Sequence, residues 1–395
     1  MKRFSLITRL GKTDAAKVNV LQRDSSVHEL DFLDGDNRLA YGLGQALAQL
    51  ASLGLTTPET AIDLALLAGL VNAADTRVSR DINAQGGWTR EIDLYLPVSD
   101  PDRWSAQADH IGKMLRFLTG DRWRLFFRLR PKEASSLSVA TDKLPLHGLD
   151  EVSLFSGGLD SLIAAIDSLT EGTHPLFVSH YWDAETAKAQ SYLLERLETK
   201  FGDEAFKSMR VRLGFDRNAL DTGQTEDTQR GRSFLFYALA SLAAASFGTK
   251  TTVNVPENGL IALNVPLDPL RFGALSTRTA HPHFMASMQR LLDGLGLQVS
   301  LNNPYRHRTK GEMTDDCADK AYLRTIVGSS MSCSSPAKAR YKGLSPRHCG
   351  YCVPCLIRRA SLKAGLGSDD PTLYTVEDLS AQTLRRASSC TNLDR

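Results

Sequence analysis

Short apolar runs alternate with longer amphipathic stretches from residue 151 onward, and this pattern sets the first expectation about the fold. The runs that have the length and composition of β-strands are EVSLF, PLFVSH, VRLGF, TTVNV and LQVSL. Apolar residues at helical spacing predict helices near 160–170, 184–200, 230–247, 282–295 and 310–326. Strands that alternate with helices predict an α/β fold with a doubly wound, mostly parallel sheet, whose ligands bind at the carboxyl ends of the strands.

The first 145 residues mix helical and strand patterns, which predicts an N-terminal α+β domain. Within this part, the segment DRWRLFFRLR alternates apolar and basic positions for most of its length. The basic positions are Arg122, Arg124, Arg128 and Arg130. A strand with this pattern has one face in the core and one basic face. The basic face is either a solvated strand face or a docking surface for an acidic partner or nucleic acid.

A domain boundary is expected within residues 131–148, which lack periodicity and are rich in Ser, Pro and Lys. The predicted division is an N-terminal domain over 1–145, an α/β domain over 146–330 and a cysteine-rich segment over 331–395. The composition, with 42% hydrophobic and 23% charged residues, is ordinary for a globular protein. The net charge of +2 does not by itself indicate a nucleic-acid partner.

The first residues, MKRFSLITRLGK, are positively charged but lack the apolar region and cleavage site of a secretory signal. No run in the chain approaches the roughly 18 consecutive apolar residues of a membrane-spanning helix. The expectation is therefore a cytoplasmic protein without a membrane partner.

A glycine turn with the sequence SGGLDS, at residues 156–161, follows the predicted strand EVSLF, and a predicted helix begins within it. Gly157 and Gly158 would let an anion approach the backbone, and the amino end of the helix favours negative charge. Ser156 and Ser161 add hydroxyl donors, and Asp160 suggests a Mg²⁺ ion between it and a phosphate. The pattern lacks the lysine of the G-x-x-x-x-G-K-[ST] motif. The alternative is a tight turn with an acidic cap.

A cysteine cluster near the C-terminus has the spacing C-x15-C-x2-C-x2-C and comprises Cys333, Cys349, Cys352 and Cys355. Two-residue gaps allow neighbouring thiolates to bind one ion, and four sulfurs predict a closed, structural zinc site. The alternatives are an iron–sulfur cluster and unligated thiols. Cys317 and Cys390 are expected to be free thiols. Several cations surround the cluster, and they would attract a phosphate or an acidic partner: Arg340, Lys342, Arg347, Arg358 and Arg359.

The turn SGGLDS resembles the PP-loop of the N-type ATP pyrophosphatases, and together with the ending HCGYCVPCLIRRASL it resembles the 7-cyano-7-deazaguanine synthase (QueC-like) family. The resemblance implies an adenine nucleotide alpha hydrolase-like fold that binds ATP, Mg²⁺ and Zn²⁺. It implies that the residues gripping ATP are Ser156, Gly157, Gly158, Asp160, Ser161 and Arg232. The segment RGRS at 230–233 resembles the family's G-R-N segment, and TKGE at 309–312 resembles its K-x-E helix start. Asp160, Ser161 and Lys310 are accordingly the predicted catalytic residues.

The resemblance covers residues 151–365 or so, and two segments depart from the family pattern. The family's D-Y-G-Q-x-H tract is replaced at 180–185, and its Y-P-D-C-R segment is replaced around 279–284. The altered segments and the long N-terminal extension resemble the QueC-like members of the Qat anti-phage defence systems.

The family's activity implies that ATP adenylates a carboxylic acid, 7-carboxy-7-deazaguanine or a related one, which is then transferred to an amine. The resemblance to the defence proteins further implies a protein partner in a defence complex, docked by the N-terminal domain. The alternatives are a tRNA-modifying PP-loop enzyme and a non-catalytic ATP-binding subunit of such a complex.

Overall fold

The N-terminal half contains a four-stranded sheet in the order β2-β1-β3-β4. The computed structural model describes residues 2–84, 86–144, 148–226, 228–263, 278–367 and 370–380. The strands of this sheet are β1 (Arg3–Arg9), β2 (Ser26–Asp31), β3 (Glu91–Val98) and β4 (Arg122–Leu129). The helices of this half are α1 (Leu43–Ser52), α2 (Glu59–Arg77), α3 (Arg80–Asn83) and α4 (Pro101–Thr119).

All neighbouring strands of this sheet pair in parallel, with Phe4 opposite Ser26 and opposite Ile92. Parallel neighbours need crossover connections, and α1–α3 join β2 to β3 while α4 joins β3 to β4. The expectation of an α+β domain is therefore wrong in this respect, because the N-terminal half is built as α/β. The helical crossovers bury the apolar positions of β3 on both faces.

The second half contains a five-stranded parallel sheet in the order β7-β6-β5-β8-β9. Its strands are β5 (Glu151–Leu154), β6 (Pro175–His180), β7 (Lys207–Val211), β8 (Thr251–Asn254) and β9 (Val299–Asn302). Its helices are α5 (Leu159–Thr170), α6 (Ala184–Phe201), α7 (Arg232–Ala245), α8 (Gly259–Leu263) and α9 (Pro282–Gly294). The chain runs from β5 to β6 and β7 on one side and later to β8 and β9 on the other.

Most predicted elements of this half are present, with two differences. The strand expected at VRLGF ends at Val211, and the following Leu213 and Phe215 are buried in a loop. Phe215 packs against the rings of Phe32 and Tyr41 from the N-terminal half, which accounts for an apolar run outside the strand. The helix expected over 310–326 is divided into α10 (Lys310–Asp315) and α11 (Lys320–Ile326), because Asp319 caps a new start.

One apolar core extends through both halves of the chain. Within it α2 packs on α7, α1 packs on β7, and α4 packs on α9. A second cluster lies between α5, α6 and the C-terminal helices, which end with α12 (Val353–Leu366). Residues 145–147, at the predicted domain boundary, lie outside the described residues, and the division into domains stays a prediction. Within the described ranges, no helix combines the length and apolar character needed to cross a membrane.

Candidate nucleotide and metal sites

The glycine turn connects the carboxyl end of β5 to the amino end of α5. Gly157 has a φ of +80°, a conformation that favours glycine, and a Cβ there would lie 3.1 Å from Gln190 Cγ. The amide of Gly158 donates to Ser156 Oγ at 3.2 Å, and Ser156 Oγ lies 3.2 Å from Ser161 Oγ. Two hydroxyls and a backbone amide thus converge at the start of a twelve-residue helix. This arrangement can bind an anion such as phosphate.

Asp160 connects the turn to two other segments of the second half. Its Oδ2 accepts hydrogen bonds from the backbone amide of Asn258 at 3.2 Å and from Asn258 Nδ2 at 2.7 Å. Its Oδ1 lies 2.9 Å from Lys310 Nζ, in an ion pair whose side chains are 7% and 12% exposed. Asn258 follows β8, so the contact crosses the crevice between the carboxyl ends of β5 and β8, where the strand order reverses.

Lys310 reaches Asp160 because α10 begins at the required place. Thr309 Oγ1 accepts from the Glu312 amide, and the Glu312 side chain accepts from the Thr309 amide, which forms a capping box. The predicted helix start at TKGE is therefore present, and the structure brings together two of the three predicted catalytic residues, Asp160 and Lys310.

Arg232 is the first residue of α7 and lies between two aromatic rings. Its guanidinium carbon is 3.4 Å from the ring centre of Trp182 and 4.7 Å from that of Phe236. Burial lowers the pKa of Arg232 to about 9, and the negative charges of Asp183 and Glu257 counteract that effect. No carboxylate of the described residues forms an ion pair with this guanidinium within 4.0 Å, so its charge is available to a phosphate.

Glu257 follows a predicted strand together with Asn258, in the region where the resembled family lines its substrate cleft, and it interacts electrostatically with Asp160, Lys310 and Arg232. Burial, followed by the negative charge of Asp160, raises the pKa of this carboxyl to about 7, while Lys310 and Arg232 oppose the rise. The carboxyl of Glu257 therefore interacts electrostatically both with Arg232 and with the Asp160–Lys310 pair. The sequence signal for Glu257 was its position directly before Asn258, after a strand whose carboxyl end is expected to face a ligand.

The four cysteines predicted to bind metal converge, with all their sulfur atoms within 4.8 Å of one another. The Sγ atoms of Cys333 and Cys352 are 4.0 Å apart, and those of Cys349 and Cys355 are 3.9 Å apart. Four sulfurs at about 2.3 Å from a tetrahedral zinc would be about 3.8 Å from one another. Both the donor atoms and their spacing fit a metal ion bound by four thiolates. Cys317 is a buried free thiol, and Cys390 lies outside the described residues.

Two of the cations around the cluster have structural partners. The buried Arg358 donates to Thr372 Oγ1 at 3.0 Å, to Ser330 Oγ at 2.9 Å and to the Val327 carbonyl at 2.6 Å. Arg359 lies over the ring of Tyr374 and donates to the Gly350 carbonyl at 3.1 Å. Their charges therefore do not belong to an open basic surface.

Met331 and Ser332, the two residues before Cys333, connect the cysteine cluster to the glycine turn. The amide of Met331 donates to the Gly157 carbonyl at 2.9 Å, and the amide of Ser332 donates to His348 Nε2 at 3.2 Å. Cys333 follows directly. The four-cysteine site and the glycine turn are thus separated by two residues of chain and one backbone hydrogen bond.

The basic face of β4 is occupied by ion pairs within the chain. Arg124 binds both carboxylate oxygens of Asp93, at 2.6 and 2.7 Å, and Arg128 pairs with Asp14 at 2.6 Å. Arg122 pairs with Glu91, and Arg130, which directly follows β4, pairs with Glu59 and Asp63. The interpretation of this face as a free docking surface is therefore corrected, because its positive charge is neutralised locally.

Comparisons with known proteins do not assign the chain to a family. No protein-family model matches the chain, and no curated protein matches it with significance. Among solved structures, a ketoreductase domain from the bacillaene assembly line is similar over 94% of this chain and 92% of that chain. Its sequence identity of 11% and TM-score of 0.25 are too low to carry an argument about fold or function.

Proposed function

We infer that the chain is a QueC-like, ATP-dependent ligase that binds ATP at the glycine turn and adenylates a carboxylic acid. The observation that carries this proposal is that the turn begins the helix that carries Asp160 of the Asp160–Lys310 pair, and that Glu257 interacts electrostatically with this pair and with Arg232, whose guanidinium pairs with no carboxylate of the described residues. Two glycines, two hydroxyls and a helix start favour a polyphosphate there. The order of the five parallel strands supports the doubly wound PP-loop fold that belongs to the same proposal.

Each predicted site residue has a role in this proposal. The amide of Gly158 and the hydroxyls of Ser156 and Ser161 bind the phosphates that leave as pyrophosphate. Asp160, whose Oδ1 pairs with Lys310, would exchange that contact for Mg²⁺, which prefers oxygen ligands. When bound, this ion would neutralise charge on the phosphates. Lys310 and Arg232 bring two further positive charges to the negatively charged groups.

The reaction proceeds in two displacements. An oxygen of the acid's carboxylate attacks the α-phosphorus of ATP, the bond between that phosphorus and the bridging oxygen breaks, and pyrophosphate leaves. The nitrogen of an amine then attacks the acyl carbon, the bond to the AMP oxygen breaks, and one amine proton passes to solvent. The residues contribute by orienting the reactants and stabilising negative charge, so that no side-chain nucleophile is required.

The finer parts of the proposal rest on the sequence resemblance. The acid is 7-carboxy-7-deazaguanine or a related acid, and the amine belongs to a protein partner in an anti-phage defence complex in the cytoplasm. The four-cysteine site would hold zinc in a structural role, since four sulfurs leave no position for substrate.

The experiment is mass spectrometry of the purified protein with its co-purified partners after incubation with ATP, Mg²⁺ and 7-carboxy-7-deazaguanine. We expect AMP, pyrophosphate and either an amide of the acid or a partner protein whose mass has increased by that of the acid less one water. ATP binding without AMP formation with any acid would instead support a non-catalytic subunit. Modification of added tRNA would support the tRNA-modifying alternative.

A further inference from the structure

The helix that carries Arg232 receives its N-terminal cap from the other half of the chain. The residue before α7 is Gly231, which has no side chain to cap the helix, and the first turn contains no acidic residue. The amide of Gly231 instead donates to Oδ2 of Asp75, on α2, at 2.7 Å. A carboxylate at the positive end of a helix is stabilising, and here it comes from 156 residues earlier in the chain.

Asp75 is itself held in a buried network of two aspartates and two arginines. Its Oδ1 accepts from Arg80 at 3.0 Å and from Arg90 at 2.9 Å. Asp121 Oδ2 accepts from the same two guanidiniums at 2.7 and 2.6 Å. The four side chains are between 0% and 3% exposed. Glu226 also pairs with Arg80, at 3.5 Å, and a network with this many hydrogen bonds fixes the carboxylate of Asp75 in one position.

The neighbours of the Gly231–Asp75 contact reinforce it. Arg230 lies over the ring of Trp88, with its guanidinium carbon 4.3 Å from the ring centre, and donates to the Thr119 carbonyl at 3.3 Å. A Cβ on Gly231 would lie 3.3 Å from Asp75 Oδ2 and 3.4 Å from Val71 Cγ1. The absence of a side chain at Gly231 therefore permits this close approach of α7 to α2.

Three successive residues at the start of α7 thus contact different parts of the chain. Arg230 and Gly231 are held by the N-terminal half, and Arg232 extends between Trp182 and Phe236 into the candidate nucleotide site. We propose that Asp75 is a positioning residue for the nucleotide, because it fixes the helix start from which Arg232 reaches ATP. This inference rests on the proposed function and makes the N-terminal half a part of the nucleotide site.

Electrostatics and positioning predict opposite effects when Asp75 loses its charge. Asp75→Asn removes a negative charge near a bound polyanion, which by Coulomb attraction alone would leave ATP binding unchanged or make it tighter. If Asp75 positions Arg232, the same change loosens the helix start and weakens ATP binding. Asp75→Asn also breaks a buried ion pair and so destabilises the protein, and a second variant that keeps the ion pair is therefore needed.

Gly231→Ala is that variant. Gly231 has a φ of −80°, which alanine adopts without strain, and the added Cβ displaces the Asp75 contact by only a few tenths of an ångström. We expect ATP binding to weaken by about 3- to 10-fold, because small misplacements of a binding group reduce its contribution strongly. Gly214→Ala is the matched control, since a Cβ there would meet nothing within 4 Å and should leave affinity unchanged.

The test measures the dissociation constant of Mg-ATP from its effect on the thermal unfolding midpoint, titrated to millimolar ATP. Gly231→Ala is also combined with Arg232→Ala. If Asp75 acts through Arg232, the double variant should bind ATP as weakly as Arg232→Ala alone. Parental affinity in a folded Gly231→Ala protein, or an equal loss with and without Arg232, would overturn the inference. Failure of the parent protein to bind ATP would overturn the proposed function and this inference with it.

Discussion

Removing the metal from the four-cysteine site should weaken ATP binding at the glycine turn. The perturbation is Cys352→Ser, which replaces one of four thiolates that lie within 4.8 Å of one another. Structural zinc sites in small peptides contribute about 10 kcal/mol or more of folding free energy, which is comparable with the whole stability of a typical domain. The segment around the cysteines is therefore expected to lose its order in this variant.

The magnitude follows from the contact between this segment and the turn. The Met331 amide and the Gly157 carbonyl form a hydrogen bond of 2.9 Å, and a backbone bond of this kind contributes about 0.5–1.5 kcal/mol net. If only this bond is lost, the dissociation constant of ATP should rise by about 2- to 12-fold. Loss of the bonds from Arg358 to Ser330 and Val327 would add to the effect.

The assay combines metal analysis with calorimetric ATP titration of the same samples. The parent should contain about one zinc per chain, as expected for a single closed site, and Cys352→Ser should contain less zinc and bind ATP more weakly. Cys317→Ser is the control, because it makes the same change at a buried thiol outside the cluster. Loss of zinc with unchanged ATP affinity would refute the link through Met331, and bound iron in the parent would refute the assignment of zinc.

Three further predictions concern single side chains. Asp160→Asn should reduce pyrophosphate release by about 100-fold or more while the protein stays folded, because it removes the charge opposite Lys310; parental release would refute the role of Asp160. Arg124→Glu should cost about 3–5 kcal/mol in denaturant unfolding, since the Asp93 side chain is 1% exposed, whereas Arg122→Glu at a side chain 61% exposed should cost about 1 kcal/mol or less; equal costs would contradict the ion-pair account. Burial lowers the pKa of His180 to about 4, so the unfolded chain binds a proton that the folded chain excludes between pH 6.5 and 4, and stability falls as the pH falls through this window. From pH 7 to pH 5 the parent should lose about 2 kcal/mol more than His180→Gln, and parallel losses would show that His180 does not contribute.

Local patterns in the sequence were sufficient to predict the elements that form the two candidate sites. The glycine turn lies between a strand and a helix as its apolar flanks predict, and the spacing of four cysteines within 23 residues predicts their convergence. Such features are visible in a sequence because the residues that form them are close together along the chain. The helix start at Lys310 was predictable for the same reason.

Interactions between distant segments were not predictable in this way. The basic positions of β4 gave no indication that Arg128 pairs with Asp14, 114 residues away. A strand face whose positive charge is neutralised by ion pairs therefore had the same sequence pattern as a solvent-exposed basic face. Phe215, a buried loop residue, was predicted to lie in a strand because apolar side chains are also selected where a loop packs between the two halves of the chain. The contact of Asp75 with Gly231 is of this kind and needed the three-dimensional structure.

If the glycine turn binds ATP so that a carboxylic acid is adenylated, as we claim, the protein should catalyse the exchange of labelled pyrophosphate into ATP. The protein is incubated with ATP, Mg²⁺ and labelled pyrophosphate, with and without 7-carboxy-7-deazaguanine and related acids. Acid-dependent labelling of ATP, lost in Asp160→Asn and reduced in Arg232→Ala, is the predicted result, because adenylation is reversible while the acyl group remains on AMP. Formation of ADP and phosphate, or no exchange with any acid despite ATP binding, would contradict the claim.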